Sequence, residues 1–122
     1  RELDAGPLYL KRPLSLAGTA EKILQEAACL TETMIVEIVE KRPLLQPQKG
    51  EVVEFRRRRP EEGNLSSMKE LRQVYDHIRM LDAAGYPPAF LKAGALHFEF
   101  TGAQLGEEFI EARVRIRRGP NV

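Results

Sequence analysis

A stretch with two prolines and a glycine, RPLLQPQKG at residues 42–50, divides the sequence into two parts with different patterns. Apolar residues recur at spacings of three and four before this stretch, and they alternate with polar residues after it. The stretch itself has no periodicity, which favours an extended linker over a helix or a strand. We therefore expect two structural units, with segments 1–42, 43–50 and 51–122.

The first part predicts a short strand followed by a long helix. Residues 7–14 alternate apolar and polar side chains until Pro13 interrupts them, as expected for a strand at a sheet edge. Thr19 is a suitable helix cap, and Glu21 places a carboxylate near the positive end of the helix. An apolar face then continues to a helix end before Pro43.

The second part predicts a strand, a helix and a three-stranded meander. Residues 51–57 alternate as in a half-buried strand, and a loop follows at RRRRPEEGN. An apolar helical stripe runs over 68–81, with its cap at Ser66 or Ser67, and is expected to lie in the core. The closing strands are expected at 89–92, 95–101 and 109–117. This order favours a small open barrel or curled sheet.

Composition narrows the class of protein. Of the 122 residues, 43% are hydrophobic and 30% are charged. The sequence has 19 basic and 18 acidic residues, and this balance is too even for a general nucleic-acid binder. No apolar stretch approaches the roughly 20 residues of a membrane span. The lone Cys29, expected to be a small buried residue on the first helix, cannot form an internal disulfide and is a poor basis for a metal site, so we expect no metal and a reducing, cytoplasmic setting.

Three segments of the sequence carry a resemblance to a known family. They read LDAGPLYLKRPLSLAGTAEKI, FRRRRPEEGNL and VYDHIRMLDAAGYPPAFLKAGALHFEF. In this order they resemble the formyltransferases that use 10-formyltetrahydrofolate, which include methionyl-tRNA formyltransferases and sugar-nucleotide N-formyltransferases. The resemblance extends from Leu3 to about Ile116.

The resemblance implies an α/β (α+β) fold. Residues 1–42 would be the tail of a Rossmann-like formyltransferase domain, with a strand and a long helix. Residues 43–50 would be the linker, and 51–122 a small C-terminal open β-barrel-like domain with one helix. The C-terminal part would also carry a signature of the family. Its residues Tyr86, Pro87 and Phe90 are expected to pack at the corner between helix and strand, and Arg79 belongs to the same signature.

The resemblance also implies site residues and a cofactor. Asp4 matches the family's D-x-G motif and would be the catalytic carboxylate, which orients a catalytic His as an amine attacks the formyl carbon. Gly6 would lie beside the folate, because a side chain there would crowd the folate or force a turn it cannot adopt. The formyl donor would be 10-formyltetrahydrofolate, and the acceptor a primary amine of a sugar nucleotide or methionyl-tRNA.

The family's catalytic Asn and His and its folate pocket belong to an upstream half that these residues do not contain. His77 and His97 cannot replace them by position, and both are expected at surface or partly buried places. The resemblance therefore implies an active formyltransferase when the upstream half is present, and no activity from these 122 residues alone. A homodimer is left open.

Arginines form a second group of candidate residues. Residues 56–122 carry twelve basic and nine acidic groups, and Arg57 and Arg59 are candidate substrate-binding residues. The run 56–59 and the arginines of the last strand form either a phosphate-binding face or a solvated face balanced by glutamates. No aromatic residues are interleaved with these arginines, which weakens the interpretation that they bind nucleic acid. The alternative function is a non-catalytic module that binds a partner or anionic ligand through these arginines, which are Arg56, Arg57, Arg58, Arg59, Arg113, Arg115, Arg117 and Arg118.

Overall fold

The computed structural model describes residues 6–119, so the predicted catalytic Asp4 lies outside the described residues. The chain forms two compact units. The first holds the residues up to Leu16 and Ile23–Arg57, and the second holds Ala17–Lys22 and the residues from Arg58 onward. The assignment of 1–42, 43–50 and 51–122 to a catalytic-domain tail, a linker and a C-terminal domain stays a prediction.

Helix α1 spans Ala20–Lys41 and confirms the long helix expected from the sequence. The Thr19 hydroxyl oxygen accepts the Lys22 N–H at 3.3 Å, which supports the predicted cap. The helix ends two residues before Pro43, as expected for a residue that cannot continue it. Cys29 on this helix is exposed, so the expectation that it is buried was wrong.

Two segments expected to be strands are not strands. In 7–14 the pairing is limited to an antiparallel bridge, in which Leu8 and Gln46 exchange N–H···O bonds of 2.7 and 2.9 Å. Pro7 and Pro13 lack the N–H groups that a longer ladder needs. Residues 51–57 have no regular structure.

The apolar residues of 51–57 explain this second difference. Val52 is 90% exposed and Phe55 is 92% exposed, and Val52 and Val53 are adjacent, so a strand here would present apolar side chains on both faces. An alternating pattern forms a strand only where a partner supplies hydrogen bonds and covers one face. Among residues 6–119 no strand pairs with this segment.

The second unit contains a short 3₁₀ helix, an α-helix and an antiparallel sheet. The 3₁₀ helix is Pro60–Gly63, and α2 is Leu71–Leu81. The strands form a sheet in chain order, and they are β1 (Ala89–Ala93), β2 (Leu96–Leu105) and β3 (Ile110–Arg118). The three closing strands are therefore confirmed, with β2 longer than expected.

Helix α2 begins later than the sequence predicts. Glu70 precedes its first residue without a side-chain cap, so neither Ser66 nor Ser67 caps it. The Ser66 N–H instead donates to Asn64 Oδ1 at 3.0 Å, and the Met68 N–H donates to the Leu65 carbonyl. This asparagine turn competes with the helix for the same backbone groups, which is why the helix starts after it.

The core of the second unit lies between α2 and the first two strands. Its buried centre consists of Leu65, Ile78 and Ala89. Partly buried apolar residues of α2 and of the strands pack around this centre, and Met68 before α2 joins them although it is not helical. The architecture is a small α+β arrangement of two helices and a three-stranded antiparallel sheet, and the barrel and the Rossmann-like tail stay predictions.

The first turn of α1 is part of the second unit through hydrogen bonds. The Glu21 N–H donates to the Asp82 carbonyl at 3.0 Å, and the Glu21 carboxylate accepts the Ala84 N–H at 2.8 Å. Arg79 Nη1 donates to the Gly18 carbonyl at 2.9 Å. These bonds satisfy backbone groups at the start of α1 and at the end of α2. Across residues 6–119, neither helix has the length and apolar character needed to cross a bilayer.

Candidate functional site

The arginines of β3 are divided between the two faces of the sheet. Arg113, Arg115 and Arg117 share one face, because successive side chains of a strand point to opposite sides. Arg118 lies on the other face with Val114 and Ile116. In the register with β2, Arg113 pairs with Thr101, Arg115 with Glu99 and Arg117 with His97. The basic face expected from the sequence therefore has three of the four arginines of this strand.

Glu99 neutralises one end of this arginine face. Its Oε1 accepts a hydrogen bond from Arg117 Nε at 2.7 Å and lies 3.7 Å from His97 Nε2. Arg113 and Arg115 make no hydrogen bond or ion pair with any residue of 6–119. The available positive charge of the face is therefore at Arg113 and Arg115.

A cleft of about 420 Å³ lies beside these two guanidinium groups. Thr101 adds a hydroxyl to its wall, and Asp82 and Glu99 add carboxylates. Two exposed guanidinium groups and a hydroxyl are suited to an anion with several oxygen atoms, such as a phosphate, because arginine donates planar paired hydrogen bonds. The carboxylates limit the net charge of the cleft.

A bulge in β2 sets the position of Arg113. The register shifts between Thr101 and Gln104, and Gly102 in the bulge has a φ of +61°, which favours glycine. A Cβ at Gly102 would lie 3.0 Å from Arg113 Nε. The missing side chain thus lets the Arg113 guanidinium lie against the backbone of the neighbouring strand.

His97 is buried in the same sheet and is not a surface residue. Its ring stacks on Phe90 at a centroid distance of 4.6 Å, and the residue is 8% exposed. No atom within the described chain forms a hydrogen bond with its Nδ1. The ring therefore packs mainly through its flat face. Separately, residues 6–119 contain no cluster of three side chains able to hold a metal.

The arginine run 56–59 has members with different environments. Arg57 and Arg59 are exposed, as expected for candidate substrate-binding residues. The Arg58 guanidinium instead lies against α2, where its Nη2 is 3.0 Å from His77 Nδ1 and 2.8 Å from His77 Nε2. No local pattern distinguishes Arg58 from its neighbours, because the four arginines are consecutive and identical.

The Glu62 carbonyl completes the contact between Arg58 and His77. It lies 2.7 Å from His77 Nε2 and accepts a hydrogen bond from Arg58 Nη2 at 3.1 Å. Burial lowers the pKa of His77, the Glu62 carbonyl opposes this, and the charge of Arg58 lowers the pKa further. A neutral imidazole at this position is consistent with an arginine, which can only donate, beside the ring.

Gly6 is the described member of the predicted D-x-G motif. It is exposed, and its carbonyl accepts a hydrogen bond from Gln48 Nε2 at 2.8 Å. Its φ is not in the left-handed region, and a Cβ there would meet no heavy atom within 4 Å. The turn argument for glycine at this position was therefore wrong, and the argument from folate crowding stays a prediction.

The residues of the signature around Tyr86 differ in burial. Phe90 is 9% exposed and its carbonyl accepts the Leu65 N–H at 2.9 Å, so it packs at the start of β1 as expected. Tyr86 itself is 48% exposed. Arg79 joins the end of α2 to Gly18 and bonds Asp76 Oδ1 through its Nε at 2.7 Å.

Comparison with known proteins assigns the chain to a family. Residues 60–117 match the family described as "Methionyl-tRNA formyltransferase, C-terminal domain". The structure also matches that of the methionyl-tRNA formyltransferase from Clostridium thermocellum, with a TM-score of 0.89 and 41% identity over 97% of this chain. This chain belongs to the formyltransferase family.

The formyltransferase match has a defined extent. This chain spans about half of the Clostridium thermocellum structure, covering 52% of it. The search of curated protein sequences found no match to this chain. The family match at 60–117 contains α2 and extends into β3. It therefore includes His77 on α2, which contacts Arg58, and it includes the arginine face of β3.

Proposed function

We propose that this chain is the C-terminal portion of an enzyme that transfers a formyl group from 10-formyltetrahydrofolate to the amine of methionyl-tRNA. The observation that carries the proposal is the 41% identity to a methionyl-tRNA formyltransferase over 97% of the chain. A sugar nucleotide is the other acceptor that the resemblance allows. The same proposal includes a cytoplasmic setting, and it is compatible with either a monomer or a homodimer.

Asp4 is the proposed catalytic carboxylate. Its role is to orient and polarise a histidine from the upstream half and to help remove the proton of the attacking amine. Gly6 is the proposed folate-side residue, and its exposed position with open space where a Cβ would lie fits the approach of a large ligand. The bound folate supplies the formyl group.

Arginines are the proposed contacts to the phosphates of the acceptor. Arg57 and Arg59 have exposed side chains, and Arg113 and Arg115 have guanidinium groups without partners among residues 6–119. Unpaired arginines can bind phosphate oxygens without first breaking an internal ion pair. This difference favours Arg113 and Arg115 over Arg117, which is already bonded to Glu99.

The first test is a formyl-transfer assay with the full-length product of the natural gene. We expect transfer to methionyl-tRNA, and we expect Asp4→Asn to lower kcat by at least about 100-fold, as for loss of a general acid or base. Glu2→Gln is the matched control and keeps activity. Transfer to a sugar nucleotide alone, or full activity of Asp4→Asn, would overturn the assignment.

The second test measures binding of tRNA to the full-length protein at several salt concentrations. Arg115→Gln should weaken binding and reduce the slope of log affinity against log salt by up to about one, as for one lost phosphate contact. Arg118→Gln removes the same charge from the opposite face of β3 and should change binding less. Equal effects of the two variants would contradict a specific role for the Arg113–Arg115 face.

A non-catalytic binding module is the second candidate function, favoured by the same unpaired arginines. A non-catalytic module should show no formyl transfer to any amine tested. It should bind anions, and Arg115→Gln should weaken that binding. Transfer activity of the full-length protein would exclude it.

A further inference from the structure

We propose that His77 is a pH-sensitive positioning residue, which holds Arg58 against α2 when neutral and releases it when protonated, so that the arginine run 56–59 has two arrangements. The proposal rests on the contacts of Arg58, His77 and Glu62. Only its consequence for substrate binding rests on the proposed function.

The contacts of Arg58 and Glu62 with the ring favour its neutral form. Arginine has only donors, so Nη2 of Arg58 needs a ring nitrogen without a hydrogen. The Glu62 carbonyl, 2.7 Å from Nε2, needs a hydrogen on that nitrogen. Nη2 of Arg58 lies near both ring nitrogens, 3.0 Å from Nδ1 and 2.8 Å from Nε2, so the Glu62 carbonyl decides the tautomer: we infer that Nε2–H donates to Glu62 and that Nδ1 is the nitrogen left to accept from Arg58.

Protonation of His77 would make this contact unfavourable. Nδ1 would no longer accept a hydrogen bond, and the positive ring would lie about 3 Å from the positive guanidinium of Arg58 in a partly buried place. The hydrogen bond from Nε2 to Glu62 would survive, because it needs only the existing hydrogen. The partner that leaves is therefore Arg58.

Other charged groups near His77 do not offset this repulsion. Asp76, its neighbour on α2, lines the same pocket but is bonded to Arg79 at 2.7 Å. The Glu62 carboxylate accepts the Arg59 N–H at 2.8 Å. Both carboxylates already have partners, so Arg58 is the charge whose position changes with the state of the ring.

Release of Arg58 affects its neighbours in the chain. Arg58 Nη2 also bonds the Glu62 carbonyl, so the guanidinium ties a residue two positions before the 3₁₀ helix to the third residue of that helix. All three of Arg57, Arg58 and Arg59 are exposed, and with the contact closed the guanidinium of Arg58 is held against α2 by His77. With it open, three consecutive arginines become available to an anionic ligand.

The test follows His77 and Arg58 by NMR in the full chain without any ligand, from pH 8 to pH 5. We expect the side-chain signals of Arg58 to change with the same midpoint as the His77 ring, at a pH below 6.5, the usual value for histidine. Arg58→Gln should shift the His77 midpoint upward. Arg57→Gln removes a neighbouring exposed charge and should leave the midpoint nearly unchanged.

A second measurement follows amide hydrogen exchange, corrected for the intrinsic effect of pH. The Glu62 N–H, which bonds the Arg59 carbonyl, should lose protection as His77 titrates, and His77→Gln should abolish this pH dependence. An Arg58 signal that does not follow the His77 titration, or a midpoint unchanged in Arg58→Gln, would overturn the proposal, whatever the formyl-transfer assay shows.

Discussion

The Asp82 carboxylate accepts the Gly102 backbone N–H at 2.7 Å, which joins the residue after α2 to the bulge in β2. The bulge leaves this N–H outside the regular ladder, and Asp82 supplies the acceptor that the sheet does not. The same bulge brings Arg113 close to the Gly102 backbone. One carboxylate thus supports the local geometry of the proposed phosphate-binding face.

Replacement of Asp82 should destabilise the second unit. Asp82→Ala leaves the Gly102 N–H without its charged acceptor, at a cost of about 1–3 kcal/mol. Urea unfolding followed by circular dichroism measures the loss, and Glu108→Gln in the turn between β2 and β3 is an exposed control. A loss no larger than that of the control would show that the bond contributes nothing to stability.

Replacement of Glu99 should strengthen anion binding by the arginine face. Glu99→Gln keeps the shape of the side chain but removes the charge that pairs with Arg117 at 2.7 Å. Arg117 in this pair is half-exposed and water screens it, so we expect an affinity for tRNA that is up to about fivefold higher at low salt, which corresponds to about 1 kcal/mol. Glu108→Gln removes a charge outside this face and should raise affinity less, and weaker binding of Glu99→Gln would contradict the assignment.

The largest fully buried side chain of the second unit should be the most sensitive to truncation. Ile78 is 2% exposed and packs between Leu65 and Ala89, so Ile78→Ala should cost about 2–5 kcal/mol of unfolding free energy. Leu71→Ala on the same helix removes a side chain that is 41% exposed and should cost less. Denaturant unfolding of both variants measures the difference, and equal costs would place the core elsewhere.

Titration of Glu37 gives a pH-dependent prediction for the first unit. Hydrogen bonds from Lys41 and Arg12 hold the pKa of Glu37 below its usual value of 4.5. Because the folded state lowers this pKa, the contribution to stability is present above pH 4.5 and is lost as the pH falls through the folded value. Lys41→Gln and Arg12→Gln should each raise the pKa of Glu37, measured by NMR titration of the Glu37 carboxyl carbon.

Ionic strength provides the control for Glu37. Its partners are exposed, so 1 M salt should raise its pKa toward the usual value. A pKa that neither salt nor Lys41→Gln changes would show that these ion pairs do not persist in solution.

Local patterns in the sequence predicted the elements that local forces determine. The cap at Thr19, the apolar spacing of α1 and the alternation of β2 and β3 each fit within one element, and the structure contains these elements. The segment 51–57 has a similar alternation but no partner strand in the described chain, and a single sequence does not state which strand will pair.

The contacts of the candidate sites depend on tertiary structure, and the sequence predicted them less well. The alternation of β3 was sufficient to place Arg113 and Arg115 on one face. It could not show that Glu99 bonds Arg117 and leaves those two without partners. The Arg58–His77 contact joins residues 19 positions apart, and no local pattern distinguishes Arg58 from its neighbours.

The bonds from Glu21 to Asp82 and Ala84 have a practical consequence for experiments on fragments. The second unit is discontinuous in sequence, since Ala17–Lys22 belongs to it together with the residues from Arg58 onward. A recombinant fragment cut within 43–57 would therefore lose the acceptor of the Ala84 N–H and the partner of the Asp82 carbonyl. Limited proteolysis in that stretch should instead leave two peptides that co-purify, and subcloning of this unit should start before Ala17.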